Sequence, residues 1–141
     1  MKILLAVDGS AYTKKMLAYL TTHLEIFATG EQQFTALTVQ ASLPPRARAA
    51  VGREAVDAYY AEEAAKVLDP VTKYLNRHDM KVKATSKVGP AGETIAKFAQ
   101  SGKYDMVIMG SRGHNALGSL VMGSVATKVL AHCDVPVLLI R

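Results

Sequence analysis

Residues 106–140 read MVIMGSRGHNALGSLVMGSVATKVLAHCDVPVLLI. A short apolar run, Met106-Val107-Ile108-Met109, leads into Gly110-Ser111-Arg112-Gly113. After nine intervening residues comes Gly123-Ser124, with apolar residues at helical spacing around and beyond it (Met122, Val125, Ala126, Val129, Leu130, Cys133), then a second apolar run from Val135 to Ile140. Strand, glycine loop, helix and strand in that order make a βαβ unit, whose two strands are parallel. Glycines between a strand and a helix allow bare backbone N–H groups to approach a phosphate chain. A tight turn uses glycine equally well, so the loop alone leaves both readings open. Its spacing is neither G-x-x-x-x-G-K-[ST] nor G-x-G-x-x-G.

Outward from this unit the same alternation fills the chain. Ile3 to Val7 is a continuous apolar run, as expected for a strand covered on both faces. Leu17, Leu20, Leu24 and Phe27 follow on one face of a first helix that Ser10 can cap. Phe34 to Val39 makes a second strand. Pro44-Pro45 marks an irregular stretch before a long helix with Val51, Ala55, Ala58, Tyr59, Ala65, Leu68, Val71 and Leu75 inward. Pro70 is predicted to end or kink that helix. Val82, Ala84, Ser86 and Val88 alternate with Lys81, Lys83, Thr85 and Lys87, a half-exposed strand with the lysines that guard a sheet edge. Ala91, Ile95, Phe98 and Ala99 line a further helix.

The order βαβαβαβαβ predicts a five-stranded parallel, doubly wound α/β sheet with helices on both faces, Rossmann-like in its winding. The lysine-rich third strand belongs at an edge, and the apolar first and fourth belong at the centre. Order 3-2-1-4-5 satisfies both. It puts the switch point between strands one and four, where Asp8 and Gly110 share a crevice of the kind that binds ligands in such sheets.

A chain of 141 residues with half its residues hydrophobic makes one domain with an adequate core. Its only cysteine, Cys133, excludes an internal disulfide and a thiol pair for metal; it is read as a core residue on the last helix. The first apolar run is too short for a signal peptide or membrane span, so a cytoplasmic protein without a membrane partner is expected. Net charge is +5, but the seventeen Lys and Arg are dispersed and tryptophan is absent. That favours anionic ligands over nucleic acid.

With Asp8-Gly9-Ser10 after strand one, Gly89-Pro90-Ala91-Gly92 before the third helix, the glycine pattern above and Val135-Pro136-Val137-Leu138-Leu139 at the close, the whole chain resembles the universal stress protein family. The G-x2-G-x9-G-S motif is similar to that of its ATP-binding branch. The resemblance implies a single domain over 1–141, usually dimeric, that binds ATP and acts as a switch or sensor in stress adaptation. It assigns Asp8, with the backbone of Ala6 and Val7, to the adenosine end, and the Val39 backbone to adenine. Gly110, Ser111, Arg112, Gly113 and His114 would wrap the ribose and phosphates, and Gly123, Ser124 and Val125 would complete the phosphate site.

Residue chemistry leaves alternatives. Asp8 could cap the first helix or brace its loop. Arg112 could be a solvated loop residue or a phosphate partner, and His114 a ligand contact or nothing. Between Gly89 and Ser124 the only carboxylates are Glu93 and Asp105. Asp105 precedes strand four, at the wrong end of the sheet, and Glu93 is explained by its place at a helix start. Any Mg²⁺ would therefore be held mainly by phosphates and water. A slow ATPase or nucleotidyl-transfer enzyme, or a non-binding dimeric adaptor, are the competing readings. The apolar strand Val135 to Ile140, left at an edge without lysines, predicts a homodimer through that edge.

Overall fold

All five expected strands form: β1 (Lys2–Ala6), β2 (Gln33–Gln40), β3 (Val82–Val88), β4 (Met106–Gly110) and β5 (Val137–Ile140). They lie parallel in one sheet of order β3-β2-β1-β4-β5. The computed structural model describes residues 1–114 and 121–141. The helices among them are α1 (Ala11–Thr22), α2 (Pro45–Val51), α3 (Arg53–Arg77), α4 (Ala91–Ser101) and α5 (Ser124–His132).

Central β1 is apolar throughout because both of its faces are covered. Ile3, Leu5 and Val7 pack with Met16, Leu17 and Leu20 of α1 and Leu68, Val71 and Leu75 of α3. Leu4 and Ala6 pack on the other face with Ile95 and Ala99 of α4 and Ala126 and Val129 of α5. The strand order thus agrees with expectation, and both layers converge on the C-terminal ends of β1 and β4.

Several helix expectations need correction. α1 stops at Thr22, and Leu24–Phe27 is a separate 3₁₀ turn in which Phe27 is buried and Leu24 exposed. The Thr21 and Thr22 hydroxyls donate back to the Leu17 and Ala18 carbonyls at 3.1 and 2.8 Å, competing with the helix ladder in its last turn and favouring the stop. The stretch after Pro44 is itself a short helix, α2, closed by Gly52 at φ +81°. Val51, Ala55, Ala58 and Tyr59 are exposed, and the buried stripe of α3 is Val56, Ala64, Leu68, Val71 and Leu75. Pro70 does not end α3. It sits on the exposed face, while Leu68 and Val71 beside it are anchored in the core.

β3 takes the expected edge, but Ala84, Ser86 and Val88 are exposed with the lysines at 83 and 87, because helix cover thins there. Val125 and Leu130 of α5 also face outward. Cys133 follows α5 as its C-terminal cap, half-buried against the second core cluster. Gly92 is buried where α4 crosses α5: a Cβ there would meet the Lys128 Cβ and lie 3.2 Å from the Val125 carbonyl oxygen. Among the described residues no helix is long and apolar enough to cross a membrane.

Candidate functional site

The site begins where β1 ends. Ala6 and Val7 are buried, so their side chains belong to the two core layers and only their backbone is available at the crevice. Gly9 takes φ +77°, a left-handed turn within the four residues that carry the chain from strand to helix. Ser10 then caps α1, accepting from the Thr13 N–H at 3.4 Å. Asp8 does brace this loop. Its Oδ1 accepts from the Ser10 N–H at 2.9 Å and the Thr13 hydroxyl at 2.8 Å, and its own N–H donates to Thr13 Oγ1 at 3.0 Å. Its Oδ2 makes no hydrogen bond among the described residues and faces Gly113: a Cβ at 113 would stand 2.6 Å from it.

The glycine loop after β4 closes onto the same place. The Ser111 N–H donates to the Ile140 carbonyl at 2.8 Å, and the Gly123 N–H donates to the Ser111 carbonyl at 2.6 Å, pinning the start of α5 to the end of β4. A Cβ at Gly123 would lie 3.3 Å from the Arg112 Cα, and one at Gly110 would lie 2.7 Å from the Tyr12 Cβ. The glycines at 110, 113 and 123 are therefore favoured by the protein's own close approaches, most strongly at 110, in addition to anything a phosphate would ask of them. Residues 115–120 of this loop lie outside the described residues.

His114 is engaged through its backbone-facing nitrogen. Nε2 lies 2.6 Å from the Asp8 carbonyl oxygen, which can only accept, so Nε2 carries the proton and donates. That bond clasps the β4 loop to the β1 loop and makes no use of a carboxylate. Arg112 donates from Nη1 to the Tyr12 hydroxyl at 3.2 Å. Two polar atoms in the loop are buried without a partner among the described residues, Ser111 Oγ and Arg112 Nε. Buried groups of this kind ordinarily find a protein, water or ligand partner.

Asp8, Gly110, Arg112, Gly113, His114 and Gly123 thus meet at the switch point, with Ser111 buried just behind. Ser124 opens α5 beside Gly123, where the first backbone N–H groups of the helix are free for an anion. Val39, near the end of β2, packs against the second core cluster, and no hydrogen bond ties it or Val125 to the Asp8–His114 group. Asp105 lies at the opposite sheet end, where its carboxylate accepts from the Lys2 N–H at 2.6 Å. The residues that sequence reasoning missed are Thr13, which holds Asp8, and Tyr12, which holds Arg112. Their position in the first turn after the Ser10 cap was the available signal. Two open hollows, of about 440 and about 710 Å³, lie on the β3 side and share no residue with these loops.

The family model described as the universal stress protein family matches residues 1–141. A universal stress protein of Synechocystis, Slr1230, is 29% identical over 140 residues, 99% of this chain and 42% of that protein. The chain spans less than half the length of the curated relatives that head the comparison. The structure of MJ0577 superposes with a TM-score of 0.81 at 27% identity, covering 99% of this chain and 94% of that one; MJ0577 is a universal stress protein of Methanocaldococcus jannaschii. A family protein from Arabidopsis thaliana, solved with AMP bound, gives a TM-score of 0.68 at 16% identity over 99% of this chain and 90% of its own. The sheet order, the loops at the switch point and the full-length family match lead to one statement: this chain belongs to the universal stress protein family.

Proposed function

We propose that this protein binds an adenine nucleotide, ATP first among them, in the crevice between β1 and β4, and works as a stress-response switch or sensor with slow or no hydrolysis. The observation that carries the reading is the convergence of two loops at the switch point. There the outward carboxylate oxygen of Asp8 faces the glycine loop, and the Ser111 hydroxyl lies buried without a partner among the described residues. The AMP bound to the Arabidopsis relative supports an adenine nucleotide as the ligand class. Asp8 and the Ala6–Val7 backbone would meet the adenosine, with the Val39 backbone at adenine. The loop from Gly110 to His114, with Gly123, Ser124 and Val125, would hold the ribose and phosphates. Mg²⁺ would neutralise phosphate charge, held mainly by phosphates and water.

Slow turnover follows from the residues at hand. The His114 ring donates from Nε2 to the Asp8 carbonyl, which leaves Nδ1 as its free nitrogen, and no carboxylate among the described residues orients that ring for proton transfer. A cytoplasmic homodimer paired through the strand from Val135 to Ile140 completes the reading. Calorimetric titration of the purified chain with ATP, ADP and AMP tests it, together with mass spectrometry of co-purified nucleotide. Binding in the micromolar range is expected; a folded chain that binds none of the three overturns the reading. A turnover rate on the order of 10 per second would instead mark an enzyme.

A further inference from the structure

We infer that Tyr12, by gathering Lys15 and Arg112 onto one aromatic ring beside the glycine loop, makes the crevice select nucleoside di- and triphosphates over monophosphates. The inference rests on the nucleotide reading above and deepens it. The Lys15 ammonium stands 5.0 Å from the centroid of the Tyr12 ring, and the Arg112 guanidinium 5.6 Å from the same point. Both are within the range of a cation–π attraction. Arg112 is held further by its hydrogen bond to the Tyr12 hydroxyl, while its Nε is buried without a partner among the described residues.

Two like charges drawn to one ring repel each other, and neither is in an ion pair among the described residues. Among the described residues the one ion pair is Lys66 with Glu63, on the exposed side of α3. An anionic chain long enough to be reached by both would relieve the repulsion and take the charge-assisted hydrogen bonds that their terminal nitrogens donate. Tyr12 is fixed in this role by the loop itself, since its Cβ packs where Gly110 has no side chain. A monophosphate held by the glycine loop and the start of α5 would engage Arg112 at most and leave Lys15, on α1, without an anion. The additional phosphates of a longer chain bring charge to it.

The test is titration of the full chain with AMP and with ATP in Mg²⁺ buffer, for the wild type and for Lys15→Met, Tyr12→Ala and Tyr12→Phe. The wild type is expected to prefer ATP by about fivefold or more, the scale of two charge contacts of which one is exposed. Lys15→Met and Tyr12→Ala should each reduce the ATP-to-AMP preference about threefold or more, while Tyr12→Phe, which keeps the ring, should retain most of it. Raising ionic strength should weaken ATP more than AMP. Lys15 is exposed, so its variant decides the matter even if Tyr12→Ala fails to fold. An unchanged preference in Lys15→Met and Tyr12→Ala, or equal losses for both nucleotides, overturns this inference and leaves the nucleotide reading intact. A wild-type chain that binds neither nucleotide overturns both.

Discussion

Asp8 has two oxygens with separate tasks, and substitutions can separate them. Oδ1 is spent on the turn, where Ser10 and Thr13 donate to it. Asp8→Ala leaves both donors without their acceptor, and a loss of about 1–2 kcal/mol is expected from denaturant unfolding. Asp8→Asn keeps an oxygen for Oδ1 and should spare most of that stability while weakening nucleotide binding. An Asn variant that binds as tightly as the wild type would remove Oδ2 from the site. Gly113→Ala drives a methyl to 2.6 Å from Oδ2, so the Asp8 carboxylate must turn from its place or the two loops must part. Roughly tenfold weaker binding, at about 1.4 kcal/mol per decade, is expected from calorimetry. Glycine spacing announced a loop of close approaches in the sequence. That one of those approaches is to the Asp8 carboxylate, and another to Tyr12, depends on loops a hundred residues apart in the chain.

Among the elements, α3 holds the clearest conflict between local preference and fold. Pro70 deletes the hydrogen bond to the Lys66 carbonyl in mid-helix, a defect of roughly 3 kcal/mol, partly offset by the stiffer unfolded chain. Burial of Leu68, Val71 and Leu75 holds the helix through it. Pro70→Ala is therefore expected to stabilise the protein by about 1–2 kcal/mol, read as a melting temperature several degrees higher. No gain in melting temperature would mean that α3 is already relaxed around the proline. At the α4–α5 crossing, Gly92→Val should cost about 1–3 kcal/mol, because a side chain there meets Lys128 and the Val125 carbonyl. The buried stripe of α3 departs from the sequence expectation because its alanines at 55, 58, 61, 64 and 65 occur on both sides of the helix and carry little periodic signal.

For the whole molecule, the open edge at β5 is where the proposed homodimer would pair. Pro136 and Ile140 direct their carbonyls to β4, so the alternating ladder turns the N–H and C=O groups of Val137 and Leu139 to the free edge. Ile140 is buried in the core and Leu138 packs against it, so lysines at those positions would damage the monomer as well as an interface. Val137→Pro is the cleaner probe, since it removes an outward donor at the start of an edge strand, where proline is tolerated. Light scattering is expected to find a wild-type dimer and a Val137→Pro monomer; a wild-type monomer at high micromolar concentration would refute pairing through this edge.

Sequence alone determined the five strands, their order and the switch point between β1 and β4. These follow from short-range facts: apolar runs mark strands buried on both faces, alternation of strand and helix forces parallel pairing, and lysines mark an edge. Tertiary structure alone decided which side chains the helices bury and how the site loops hold one another. Helical burial is set by what lies opposite each residue, and alanine fits either side. The Asp8–Gly113, Tyr12–Arg112 and His114–Asp8 contacts join segments far apart in the chain. Their geometry exists only once the sheet has brought the ends of β1 and β4 together.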